Sequence, residues 1–203
     1  ISDKRKVIRI VTPNPEQIVY AQGDPHFVKL LNQADVAILD GIGLALAMRL
    51  KRIPGVEFME DLVGMAAKRG YPVALIGGRG GVAVEALECL RRKYGQLNGW
   101  ATEAPEFDLD SDSHQLNYEL GIMNYELGDK DRTSSSILHN SKFVIRSHSN
   151  AEHYIKQMVH RIIESGTRIV FVGLGAPKQE YFMEAISRQL SAVSKKSSVI
   201  SHL

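Results

Sequence analysis

"PVALIGGRGGVAVEALECLRRKY", residues 72–94, decides how the whole chain is read. Val73–Ile76 is a short, nearly continuous apolar run, the pattern of a strand covered on both faces in a parallel sheet. The glycine-rich turn Gly77–Gly81 follows, and a helical pattern then runs from Val82 to Tyr94. Backbone N–H groups in a turn of this kind, at the start of a helix, can cradle phosphate. The same residues also serve as a plain tight turn.

Working outward, "VIRIV" (Val7–Val11), "VAIL" (Val36–Leu39) and "IVFV" (Ile169–Val172) repeat the strand pattern. Helical patterns lie between them. Asp24 is a cap before Pro25, with Phe27, Leu30, Leu31 and Ala34 at helical spacing. Glu57–Arg69 sets Phe58, Leu62, Met65 and Ala66 on one face, with Gly70 as a stop. Ser149-Asn150-Ala151-Glu152 reads as a capping box opening a helix with Ile155, Met158, Val159, Ile162 and Ile163. Strand and helix alternate, which predicts an α/β fold: an open, mainly parallel, Rossmann-like sheet with helices on both faces.

We expect a single domain over residues 1–190, interrupted at 110–147 by an irregular insertion. There NYELG occurs twice at a seven-residue step, too few heptads for a coiled coil. Residues 191–203, rich in Ser and Lys, read as a disordered tail.

Composition narrows the function classes. The chain has 203 residues, 44% of them hydrophobic, which suits a globular protein with a full core. Its 25 Lys and Arg against 23 Asp and Glu leave a net charge of +2, so no broad field favours nucleic acid or membrane. Cys89, the single cysteine, reads as a small buried hydrophobe on its helix and fits a reducing, cytoplasmic setting. No run approaches the roughly 20 apolar residues of a membrane span, and the N-terminus lacks a signal-peptide core. Beginning with Ile, the sequence reads as a fragment, a processed product or a trimmed chain.

In open α/β sheets ligands bind beyond the carboxyl ends of the strands. Asp40 stands at the end of "VAIL" and is followed by Gly41 and Gly43, which would admit unusual dihedrals and let backbone N–H groups approach a ligand before a helix beginning at Leu44. Alternatively, Asp40 is only a cap for Ile42 or Gly43. "TPNPEQ" (Thr12–Gln17) follows the first strand and offers a hydroxyl, an amide and a carboxylate. "GLGAPKQE" (Gly173–Glu180) follows the last, with Lys178 and Gln179 in a first helical turn. Gln17 and Glu180 are read as helix caps.

Five segments together, "TPNPEQIVYAQ", "LLNQADVAILDGIGLALA", "RIPGVEFMEDL", "PVALIGGRGGVAVEALECLRRKY" and "IVFVGLGAPKQEYFM", resemble the WecG/TagA/CpsF glycosyltransferase family. The resemblance implies a cytoplasmic, inverting, metal-independent enzyme without a cofactor. It would move N-acetylmannosamine or a related N-acetylhexosamine from a UDP-sugar to a polyprenyl-diphosphate-linked acceptor, in polysaccharide or teichoic acid synthesis. Asp40 matches the general base, which takes a proton from the acceptor hydroxyl as that oxygen attacks the anomeric carbon. Thr12 and Asn14 match a polar turn near donor and acceptor, and Arg52 a guanidinium that neutralises the leaving diphosphate. Gln179, with Lys178 beside it, matches a contact to the nucleotide sugar, and Gly41, Gly43, Gly77 and Gly78 would admit backbone approach. Peripheral membrane contact and a homo-oligomer are compatible with the family. Its members carry a further strand and helix before "TPN", and an Arg- and Trp-containing C-terminal segment where this sequence has "SAVSKKSSVISHL".

Three rivals are weighed against it, one of them a metal-dependent glycosyltransferase that would use the two D-x-D patterns at Asp108–Asp112. An NAD(P)-binding oxidoreductase would use Gly78–Ala83 as G-x-G-x-x-A and Glu103 as the ribose acid, which leaves TPNPEQ, DGIG and PKQE without roles. A non-catalytic UDP-binding relic would keep only the donor site. "DLDSD" (Asp108–Asp112) has the look of a cation ligand set but follows no strand, and the spacing of His148, His153 and His160 does not suit zinc.

Overall fold

The structure, a computed structural model, describes residues 7–103 and 148–200. In chain order the elements are β1 (Ile10–Val11), α1 (Pro15–Gly23), α2 (Pro25–Asn32), β2 (Val36–Ala37), α3 (Ile42–Ala47), α4 (Gly55–Arg69), β3 (Val73–Gly77), α5 (Val82–Tyr94), β4 (Gly99–Thr102), α6 (His148–Glu164), β5 (Ile169–Gly173) and α7 (Lys178–Ile200). The fold is α/β, and its described strand pairs are all parallel. The strands form two ladders rather than one, β1-β2 and β4-β3-β5.

β3 is the centre of the larger sheet and is buried along its length. Side chains alternate across a strand, so its two faces meet different helices. Val73 and Leu75 pack with Val63 and Ala66 of α4 and Ala83 and Leu87 of α5. Ile76 packs with Ile155, Met158 and Ile162 of α6 and Phe182 and Ile186 of α7. Helices therefore cover both faces, as the continuous apolar run at 73–76 requires.

The first two strands are shorter than their apolar runs suggest. Their ladder starts where Arg9 O accepts from Asp35 and Val36, and after Ala37 the chain turns away, with Leu39 O accepting from Ile53 N at 3.1 Å. α2 begins as expected: the Asp24 carboxylate accepts from His26 N and Phe27 N, both at 3.0 Å, and Pro25 opens the helix. Such a cap contributes about 1 kcal/mol. Phe27 and Leu30 then bury against Tyr181, which also donates its hydroxyl to Asp24 at 2.7 Å.

Several sequence expectations are corrected. α4 buries Val63 and Ala66, with Met59 packed beside them, whereas Phe58, Leu62 and Met65 are half-buried. Ile163 is exposed on α6, and Cys89 is exposed on α5, with Arg92 donating to its sulfur. α1 and β4 are additional elements. β4 was not evident in a four-residue run with one large apolar residue, Trp100, whose Nε1 bonds to Ser165 and Thr167 at 3.0 Å while Arg161 lies over its ring. α7 continues past residue 190 to Ile200. The insertion at 110–147, its NYELG repeat, DLDSD and the side chains of the capping box at 149–152 lie outside the described residues.

Candidate functional site

The loop after β1 is shaped by a helix start. Asn14 is the N-cap of α1, its Oδ1 accepting from Gln17 N at 2.9 Å while Gln17 Oε1 accepts from Asn14 N at 3.3 Å; Pro15 follows at the first helical position. Cap, proline and glutamine thus fix the backbone of the TPN turn.

Beside it runs the loop after β2. Gly41 has an ordinary φ of −71°, so its glycine character is not a matter of dihedrals, contrary to the sequence expectation. Contact is the reason: a Cβ on Gly41 would stand 2.6 Å from Pro15 Cδ and 3.6 Å from Asn14 Cα. Gly43 lies inside α3 with open space around it, and α3 starts at Ile42 rather than Leu44. The N-cap of α3 is Gly41, with no side-chain cap bond, so the alternative in which Asp40 merely caps the helix is excluded.

Asp40 is turned elsewhere. Arg52 donates from Nε to the Asp40 backbone carbonyl, and its terminal nitrogen stands 3.4 Å from Asp40 Oδ1. Both side chains are partly exposed, and such pairs contribute about 0–1 kcal/mol to stability. Their arrangement therefore places a carboxylate and a guanidinium side by side in solvent reach, with little return in stability. Thr12 completes this corner: the position of a Cβ on Gly55 lies 3.3 Å from Asp40 Oδ2 and 3.6 Å from Thr12 Cγ2.

The loop after β5 joins from the larger sheet through Glu180. Its Oε1 accepts from Gln17 Nε2 at 2.9 Å and from Gln179 Nε2 at 2.8 Å. Glu180 is buried, and its Oε2 meets no hydrogen-bond partner among the described residues. Burial pushes this carboxyl above the usual glutamate range, against the opposing effect of the hydrogen bonds from Gln179 and Gln17. The sequence reading of Gln17 as a cap holds, but that of Glu180 misses its role as a bridge; a charge beside the apolar Tyr181-Phe182 pair was the only signal. Arg52 thus pairs with Asp40, Thr12 and Asp40 both flank Gly55, Gly41 lies against Pro15 and Asn14, and Asn14 is linked through Gln17 and Glu180 to Gln179 across the two sheets.

Gly77 and Gly78 stand apart from this chain, at the carboxyl end of β3. Their φ values are 136° and 71°, and a Cβ on Gly77 would collide with the backbone of Gly173 in β5, so the close approach they serve here is between strands. At the same turn the Glu103 carboxylate accepts from Gly81 N, where the sequence suggested phosphate. That bond also accounts for Glu103 without a ribose. Lys178 opens α7, half-buried, next to Gln179. Among the described residues no three His, Cys, Asp or Glu side chains are gathered to hold a metal, and no helix is long and apolar enough to cross a membrane.

Comparison with known proteins gives consistent results. The Glycosyl transferase WecG/TagA/CpsF family matches residues 1–120 and 132–195. A Staphylococcus aureus (strain MRSA252) protein described as N-acetylglucosaminyldiphosphoundecaprenol N-acetyl-beta-D-mannosaminyltransferase is 32% identical over 117 residues, covering 55% of this chain and 46% of that protein. A protein of the same description from strain NCTC 8325 / PS 47 is 35% identical over 95 residues, 44% of this chain and 37% of its own length. The chain spans less than half the length of these curated relatives.

Proposed function

The chain belongs to the WecG/TagA/CpsF glycosyltransferase family, and from that premise we propose that it transfers N-acetylmannosamine from a UDP-sugar to a polyprenyl-diphosphate-linked sugar, in the synthesis of cell-surface polysaccharide or teichoic acid at the cytoplasmic side of the membrane. The observation that carries this reading is that Thr12, Asn14, Asp40 and Gln179 lie in loops after parallel strands, with Arg52 against Asp40 and Gln179 linked through Glu180 and Gln17 to the Asn14 cap.

Asp40 is the base. It takes the proton of the acceptor hydroxyl as that oxygen attacks the anomeric carbon, and the UDP oxygen departs from the opposite face, inverting the centre. Arg52 beside it meets the negative charge that grows on the diphosphate, which supplies without a metal the stabilisation a cation gives elsewhere. Asn14 spends its oxygen on the cap of α1, leaving the amide nitrogen to donate to a sugar, with the Thr12 hydroxyl adjacent. Gln179, held by Glu180, contacts the nucleotide sugar together with Lys178.

The test is transfer from UDP-N-acetylmannosamine to N-acetylglucosamine diphosphate on a short, water-soluble lipid, with and without EDTA. Transfer should persist in EDTA, and Asp40→Asn should lower it about 10²- to 10⁴-fold while UDP affinity stays within a small factor. Unchanged turnover in Asp40→Asn removes the base, and turnover that requires added manganese removes the metal-free mechanism.

A further inference from the structure

Gly55 is the first residue of α4, and nothing in its backbone asks for glycine. Pro54 precedes it as the N-cap, Phe58 N donates to Pro54 O at 3.0 Å, and Gly55 lies outside the left-handed region that favours glycine. Alanine suits the opening turn of a helix, where glycine is the less stable choice.

Packing does not ask for it either. At Gly41 and Gly77 a Cβ would run into a proline ring and a neighbouring strand. At Gly55 the atoms nearest to a Cβ are Asp40 Oδ2 at 3.3 Å, Thr12 Cγ2 at 3.6 Å and Asp40 Cγ at 3.8 Å, all in side chains and none in the backbone. The Asp40 side chain is 38% exposed, so it has room to give way without disturbing the core. What a side chain at 55 would take away is access to that carboxylate.

The local chain path sets this up. Ile53 N donates to Leu39 O at 3.1 Å and Arg52 Nε to Asp40 O, so the two segments run side by side and bring Gly55 against Asp40. The carboxylate is then divided between two neighbours. Oδ1 faces the Arg52 guanidinium at 3.4 Å, and Oδ2 faces the side of Gly55 where a side chain would stand. Among the described residues no donor hydrogen-bonds to Oδ2. One oxygen is engaged by a cation and the other is left to take a proton.

We propose that Gly55 is a positioning residue whose missing side chain keeps Asp40 Oδ2 open, so that the acceptor hydroxyl comes in over Gly55 and gives its proton to Oδ2 rather than Oδ1. The hydroxyl O–H bond breaks, the proton passes to Oδ2, and the freed electron pair forms the bond to the anomeric carbon as the bond to UDP breaks. A secondary hydroxyl on a sugar ring fits this place, with its O–H toward Oδ2 and its ring C–H toward the Thr12 methyl. The proton transfer rests on the transferase reading; the opening at Gly55 does not.

The test compares Gly55→Ala with the parent in three measurements. Carbodiimide with glycine ethyl ester converts accessible carboxyl groups into amides, and peptide mapping gives the rate at each. Asp40 should label more slowly in the variant, while the exposed Glu57 and Asp61 keep their rates. In the soluble-acceptor assay kcat/KM for the acceptor should fall about ten- to a hundredfold, since misplacing a reacting group by about 1 Å costs about 10²-fold. UDP affinity should not change. The variant should melt at or above the parent temperature. Gly55→Ser adds a hydroxyl that can donate to Oδ2 and should lower transfer at least as far.

Asp40 labelling at the parent rate in Gly55→Ala overturns the proposal. So does full transfer in a variant whose Asp40 is shielded, because Oδ2 is then not the oxygen that reacts. Melting well below the parent also overturns it, since glycine then serves packing. Absent transfer by the parent, with Asp40 labelling slowed in the variant, refutes the transferase reading alone and leaves Gly55 as the opening over Asp40.

Discussion

Gly41 and Gly43 stand two residues apart, and replacing each with alanine should move stability in opposite directions. At Gly43 the backbone is helical and nothing lies within 4 Å of a new Cβ, so alanine adds helix propensity without a clash. Gly43→Ala should therefore stabilise by about 0.5–1 kcal/mol. At Gly41 the φ of −71° also suits alanine, yet the new Cβ would stand 2.6 Å from Pro15 Cδ where ordinary contact begins at 3.4 Å. The proline ring is fixed by its place at the start of α1, so the loops must part by most of an ångström. Overpacking of this kind costs about 1–3 kcal/mol. For a chain of this length 1 kcal/mol moves the midpoint by about 2–4 °C, so the two variants should melt roughly 3–16 °C apart. Thermal unfolding followed by circular dichroism measures this directly. In a double-mutant cycle, Pro15→Ala should recover most of the Gly41→Ala loss. Gly41→Ala melting at or above the parent temperature would refute the argument that contact, not dihedral freedom, requires glycine there.

Other groups make further predictions. Burial raises the Glu180 carboxyl above its unfolded value, so the folded state holds its proton longer; stability should fall as pH rises from the ordinary glutamate value through the raised one, then level off. Glu180→Gln, which keeps an oxygen to accept from Gln17 and Gln179, should remove that slope in urea unfolding across pH, and a slope retained in the variant would exonerate Glu180. Asp24 behaves oppositely: burial raises its carboxyl, but hydrogen bonds from Tyr181, Phe27 N and His26 N prevail and lower it, so its stability is present above its unfolded value and lost as acid protonates it. Asp24→Ala should cost about 1–2 kcal/mol as a lost cap, with a flatter acid limb; an unchanged acid limb would count against this.

Much of this arrangement was legible because it rests on local chemistry. The run at 73–76 announced a strand buried on both faces, and Asp24-Pro25 announced the start of α2. That Thr12, Asn14 and Asp40 stand in loops after strands was legible, because strand ends and prolines place them. The remainder depends on distances along the chain that periodicity does not encode. Gly41 is a glycine because Pro15, twenty-six residues earlier, presses on it. Gly77 is a glycine because β5 passes close by. Glu180 reads as a helix cap until Gln17 arrives from α1. On α4, Met59 and Val63 join Ala66 against β3 and α5 because those partners, far off in sequence, select the packed face.

The two ladders share no strand, and their alignment falls largely on the opening turns of α7, where Glu180 holds Gln17, Tyr181 holds Asp24 and Phe27, and Glu184 faces His26. Mechanically this is a beam rooted in the larger sheet through β5 and gripped at its base by the smaller one. A helix resists bending over so few residues, so the span between the carboxylate at position 40 and the amide at 179 is set by the seating of that beam.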